Sequence, residues 1–142
     1  MTFDSPSIRD LSELDSLLSE PTEAAIRSVA QLDGDVLILG AGGKMGPSLA
    51  RMIGNAGKSS GTEREITAVS RFSVNSVQDE LEHYGIRTIV SDLLAEGSIA
   101  RLPDAANVVL MTGSKIGTQP DASHTWAMNV LLPAAVCQRF RE

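Results

Sequence analysis

The chain has 142 residues, 42% of them hydrophobic and 21% charged, and twelve basic against eighteen acidic residues leave a net charge of −6. That composition describes one globular domain with room for a core, and an acidic chain whose lysines and arginines form no stripe excludes nucleic acid as a partner. No apolar stretch approaches the ~20 residues that span a bilayer, the opening MTFDSPSIRD lacks the features of a signal peptide, and the lone Cys137 excludes an internal disulfide, so a cytoplasmic protein is expected.

Residues 1–33 read as a helical extension. SIRDLSELDSLL spaces Ile8, Leu11, Leu14 and Leu17/Leu18 on one face, with Ser7 as a candidate cap. EPTEAAIRSVAQL follows, with Thr22 as N-cap and Ile26, Val29, Ala30 and Leu32 on one side. These helices carry no recognisable chemistry and are expected to pack against the domain or a partner subunit.

Residues 34–142 alternate strands and helices. VLIL (36–39) predicts a buried strand, and the helix after it presents Leu49, Met52, Ile53 and Ala56. A polar loop leads to the strand ITAV (66–69) and a helix that turns Val77, Leu81 and Tyr84 inward, with Gly85 closing it. IRTIV (86–90) is the third strand, SIARL a short helix, and NVVLM (107–111) the fourth strand. A last helix begins near Ser123 and is expected to bury Trp126, Val130, Leu131, Ala134 and an inert Cys137. Pro133 predicts a bend near Asn129. Apolar strands separated by helices imply parallel βαβ units. The fold class is therefore α/β, a Rossmann-like doubly wound sheet of about four strands in the order 3-2-1-4.

The first strand-to-helix turn reads GAGGKMG. Gly40 permits the tight turn out of the strand, Gly43 has no Cβ to hold a pyrophosphate away, and Gly46 allows close helix packing. The helix N-terminus adds free N–H groups and the positive end of its dipole. The string lacks the Gly-Lys-Ser/Thr ending of a P-loop, so Lys44 is not a Walker lysine. The second strand ends in Ser70 and Arg71, where dinucleotide folds commonly carry an acid. A guanidinium there pairs with a 2′-phosphate that a carboxylate repels, which favours NADP over NAD.

With glycines at 40, 43 and 46, the VSDLL segment, NVVLMTG and WAMNVLLPAAV, residues 35–141 resemble the extended short-chain dehydrogenase/reductase superfamily, the NAD-dependent epimerase/dehydratase family. The resemblance implies that Gly40, Gly43, Lys44, Met45 and Gly46 cradle the pyrophosphate and that Ser70 and Arg71 meet the adenosine ribose. It places Asp92 and Leu93 at the adenine, and Thr112 and Gly113, with Met111, along the chain toward nicotinamide. Asp92 has the alternative role of capping the next helix, Lys44 that of a solvated side chain, and Asn129 that of a brace at the helix bend. Lys44 replaces the family's usual aromatic, and Thr112-Gly113 replaces two alanines. A second similarity, to the Gly-Ala-x-Gly-Arg-Met-Gly loop of dihydrodipicolinate reductase, is confined to the turn.

The family's Tyr-x-x-x-Lys pair has no counterpart: four residues after Tyr84 comes Thr88. Neither His83 nor His124 has a partner at recognisable spacing, and no metal-ligand cluster is visible. The chain also ends where the family enters a fifth strand. The expectation is therefore the cofactor-binding, non-catalytic N-terminal portion of a homo-oligomeric epimerase, dehydratase or reductase, acting on a nucleotide sugar. The alternative is a complete NAD(P)-binding sensor or interaction module.

Overall fold

The computed structural model describes residues 8–115 and 122–141. The chain runs α1 (Leu11–Leu18), α2 (Glu23–Ala30), β1 (Val36–Leu39), α3 (Gly46–Ser60), β2 (Ile66–Ser70), α4 (Asn75–His83), β3 (Arg87–Val90), a 3-10 turn (Ile99–Arg101), β4 (Asn107–Leu110), α5 (Ala122–Trp126), a π-helical turn (Ala127–Leu131) and α6 (Leu132–Arg139). The four strands form one parallel sheet in the order β3-β2-β1-β4, with Val36 opposite both Ile66 and Asn107, and Thr67 opposite Arg87. This is the Rossmann-like topology that the strand and helix pattern predicts. Among the described residues no helix is long and apolar enough to cross a membrane.

β1 lies inside the sheet, which is why all four of its residues are apolar and buried. Val36 and Ile38 face a layer built from α2, α3 and α4, where Val29, Ile53, Ala56 and Leu81 meet them. Leu37 and Leu39 face the opposite layer, with Leu102, Leu132 and Val136. Side chains that alternate between two layers need apolar residues at every position rather than at every second one. Truncating Leu37, fully buried, to alanine costs about 2–5 kcal/mol.

The N-terminal helices attach to α3. Thr22 caps α2 by accepting from the Ala25 N–H at 3.2 Å, and Val29 is its one buried residue. Arg64 fastens the far end of α2, donating to the carbonyls of Val29 and Gly34 at 2.9 and 3.1 Å. α1 is capped by Asp10; Ser7 lies outside the described residues. α1 buries no side chain, and Ile8, Leu11, Leu17 and Leu18 stay exposed. Its anchor is polar: Asn55 Nδ2 donates to the Ser19 carbonyl at 3.0 Å.

Three inward expectations are corrected. Leu81 is fully buried and Val77 packs on the same cluster, but Tyr84 is exposed and lies flat under the Arg51 guanidinium, 4.0 Å from its centroid. Gly85, at φ +77°, turns the chain so that Ile86 rather than Tyr84 enters the core. In the last helix the buried row is Leu132 and Val136, whereas Trp126, Val130, Leu131 and Ala134 face outward. Cys137 is exposed rather than buried. No charge occurs between Trp126 and Gln138, so periodicity has no polar face with which to fix the rotation of this helix.

Candidate functional site

The carboxyl ends of all four strands open into one cleft of about 440 Å³. Gly40 comes from the end of β1, Ser70 and Arg71 from β2, Asp92 and Leu93 from beyond β3, and Thr112 and Gly113 from beyond β4. This is the crevice where the strand order reverses, between β1 and its two neighbours, the place at which open α/β sheets take ligands. The volume lies in the range of small-molecule sites.

The glycines have distinct causes. Gly40 sits at φ +88°, and a Cβ there would fall 2.7 Å from the Thr112 methyl, so the turn at the end of β1 and the tail of β4 both require it. Gly42 faces Ser70, whose Oγ would lie 2.5 Å from an added Cβ. A Cβ on Gly46 would come within 2.0 Å of the Ala41 carbonyl oxygen, so the start of α3 packs on the backbone leaving β1. Gly43 differs: an added Cβ meets only the Gly40 oxygen, at an ordinary 3.6 Å. The fold does not need a glycine there.

The loop leaves donors unspent. Gly40 and Ala41 N–H both donate to the Val69 carbonyl, at 2.8 and 3.1 Å, and Gly43 donates weakly to Gly40 at 3.3 Å. Among the described residues the N–H groups of Gly42, Lys44 and Met45 have no acceptor. Most helix starts are closed by a Ser, Thr, Asp or Asn side chain; α3 begins after Met45 with no side-chain cap and with Pro47 in its first turn. Open N–H groups at a helix start form an anion cradle.

Eight of the eleven sequence-predicted residues line the cleft: Gly40, Gly43, Ser70, Arg71, Asp92, Leu93, Thr112 and Gly113. Lys44, Met45 and Gly46 do not. Gly46 is buried, Met45 points into solvent, and Lys44 lines an adjoining depression, with Asp15, Ser48, Arg51 and Glu80, that shares Gly42 and Gly43 with the cleft. Asp92 does not cap the next helix, which starts at Ile99 after Ser98 with no side-chain cap; its Oδ1 instead accepts from the Leu94 N–H at 3.0 Å and closes the turn beyond β3. The Thr112 hydroxyl is buried with no hydrogen-bond partner among the described residues.

Sequence reasoning misses several cleft residues. Gly42 is visible only if the string is taken as Gly-x-Gly. Phe72 is buried in a left-handed conformation, φ +43°, between the exposed Arg71 and Ser73. Such a φ on a bulky residue stores strain of order 1–3 kcal/mol and is typical of binding loops; no sequence pattern announces it. His124 and Met128 reach the cleft from α5 and the π-helical turn. That turn stands where Pro133 predicts a bend, and π-turns within helices are frequent at functional sites. Within it, Asn129 accepts from the Ser114 N–H and donates to the Ser114 carbonyl, both at 2.8 Å. This pair of hydrogen bonds braces the segment beyond β4 that carries Thr112 and Gly113.

The described residues contain no group of three or more His, Cys, Asp or Glu side chains placed to hold a metal ion. Fold and cleft together define a Rossmann-like α/β chain with unpaired N–H groups at its first turn. Compared with family models, with curated proteins and with solved structures, the chain finds no match.

Proposed function

We propose that this chain binds a nicotinamide dinucleotide, NADP in preference to NAD, as the cofactor-holding part of a cytoplasmic, homo-oligomeric epimerase, dehydratase or reductase. The observation that carries the reading is the unspent N–H group of Gly42 in a cleft whose lining includes Arg71, with those of Lys44 and Met45 following it at the start of α3. The chemistry fits: backbone donors and a helix dipole suit a pyrophosphate, and a guanidinium on the second strand suits a 2′-phosphate. Gly43, free of any packing demand, leaves room for phosphate oxygens against backbone. In this reading Leu93 and Val74 flank the adenine, Ser70, Arg71 and Ser73 meet the ribose phosphate, and Thr112 and Gly113 line the way to nicotinamide. The cofactor, when bound, supplies hydride transfer to and from a substrate carbon. The chain's own residues bind and orient. The nucleotide-sugar substrate class rests on the family resemblance alone.

Calorimetric titration with NADPH and NADH tests the proposal. NADPH should bind at least about tenfold more tightly, a difference of ~1.4 kcal/mol. Saturable binding of neither dinucleotide by the folded chain would overturn it.

A further inference from the structure

A cavity of about 240 Å³ opens between α3 and the turn that leads from α4 into β3. The buried Ile53, Ile66 and Ile86 make its floor, and Tyr84 forms one wall. Arg51, Lys58 and Arg64 bring three cations to it, and Glu63 a single acid. It shares no lining residue with the cleft at the carboxyl ends of the strands.

We propose that this cavity is a second binding site, for a small monocarboxylate with an apolar or aromatic body. Its cations are held in place and only partly matched. The Arg51 side chain is 10% exposed, pairs with Glu80 at 3.1 Å and stacks on Tyr84, yet its Nε is buried with no partner among the described residues. Arg64 spends its terminal nitrogens on the backbone carbonyls of Val29, Leu32 and Gly34, and its Nε is likewise buried without a partner among those residues. Neither Lys58 nor Arg64 forms an ion pair among the described residues. A guanidinium held by neutral carbonyls keeps its charge unspent, and a buried N–H without an acceptor is unfavourable until an anion supplies one.

Charge and space narrow the ligand. Arg51 and Glu80 cancel, and Lys58 and Arg64 against Glu63 leave one net positive charge at the cavity. One carboxylate balances it, whereas a phosphate dianion overshoots it in a chain whose net charge is already −6. Gly54 keeps the space open. A Cβ there would meet only the Ile66 Cδ1, at an ordinary 3.6 Å, whereas one on Gly57 would press to 3.2 Å on the Thr62 carbonyl oxygen. Packing thus calls for Gly57 but not for Gly54, and glycine inside a helix is unfavourable relative to alanine. The volume falls just below the ~300 Å³ at which drug-sized sites begin, so the ligand is about as large as benzoate.

The test is an NMR titration of the full 142-residue chain with sodium benzoate, and in parallel with benzamide and with inorganic phosphate. Benzoate should shift the amides of Gly54, Gly57 and Gly85 saturably, with a Kd of about 1 mM or below. Benzamide, similar in shape but uncharged, and phosphate should each bind there at least about tenfold more weakly. Lys58→Glu, at an exposed position, reverses the net charge of the lining and should weaken benzoate at least about fivefold. Gly54→Ala should melt above the wild type, and Gly54→Leu, which fills the cavity, should lose the benzoate shifts with an unchanged circular dichroism spectrum. No saturable shifts at the three glycines, or shifts confined to the Gly42 and Lys44 amides of the glycine loop, would overturn the site. So would a Lys58→Glu or Gly54→Leu protein that binds benzoate like the wild type. A Gly54→Ala protein that melts lower would overturn the role given to Gly54. Benzamide or phosphate binding as tightly as benzoate would overturn the monocarboxylate class.

Discussion

Gly43 and Gly46 occupy the same loop, and alanine at each should have opposite consequences. At Gly46 the new methyl would sit 2.0 Å from the Ala41 oxygen and 2.5 Å from its carbonyl carbon. Both contacts are with backbone, which yields only if the turn leaves β1. Overpacking of this kind costs about 3 kcal/mol or more, and the gain in helix propensity returns ~1 kcal/mol. A net loss of ~2 kcal/mol should lower Tm by roughly 8 °C in a chain of this size. At Gly43 the nearest atom lies at 3.6 Å and φ is not in the left-handed region. Alanine there restricts the unfolded chain more than it burdens the folded one, a gain of ~0.4–1 kcal/mol, or roughly 2–4 °C. The methyl does, however, fill the space assigned to phosphate oxygens, so NADPH affinity should fall at least about tenfold, or ~1.4 kcal/mol. Thermal melts with and without NADPH read both quantities. A Gly43→Ala protein that melts higher and still binds NADPH like the wild type would refute the cradle. One that melts well below the wild type would refute the claim that the fold does not need glycine there.

Three further outcomes follow from single contacts. Arg71→Asp replaces the guanidinium by a carboxylate and should weaken NADPH at least about tenfold while leaving NADH nearly unchanged; equal losses would remove Arg71 from the 2′-phosphate. Asn129→Ala deletes both bonds to Ser114 and should cost about 1–3 kcal/mol, with hydrogen exchange accelerated at the Ser114 amide; unchanged exchange there would contradict the brace. The Glu82 carboxyl is held below the usual carboxylate range, first by the Thr88 hydroxyl and then by the Gln78 amide. A depressed folded-state value gives stability that is present above the unfolded-state pKa and lost as pH falls through the folded one. NMR titration should therefore place Glu82 below ordinary glutamates and Thr88→Val should raise it, whereas a Glu82 that titrates normally in the wild type would refute the contact.

The sheet was legible because its strands combine two unambiguous signals. VLIL is apolar throughout and ITAV at all positions but Thr67, as strands covered on both faces demand, and Gly85 marks the end of α4 at φ +77°. The end of α3 was harder to read, since its last turn to Ser60 falls in a polar stretch that reads as a loop. The cleft followed from topology, since residues just past each strand's carboxyl end must converge in a parallel sheet. Side-chain direction was less legible. Lys44 and Met45 belong to the glycine string by position, but Lys44 lines the adjoining depression and Met45 points into solvent. The left-handed Phe72 is set by the burial of its ring against neighbours distant in sequence. Tyr84 has the hydrophobicity of a core residue, yet Arg51 offers its ring a cationic partner at the surface. The last helix is apolar on two rows, and the one with Leu132 and Val136 fits the sheet, leaving Trp126 and Leu131 outside.

The most direct test of dinucleotide binding is a map of amide chemical shifts on titration with NADPH. The perturbations should concentrate at Gly42, Lys44 and Met45, whose N–H groups have no acceptor among the described residues, and extend to Ser73 and Gly113 along the cleft. Shifts confined to other surfaces, or none at saturating NADPH, would contradict the proposed site.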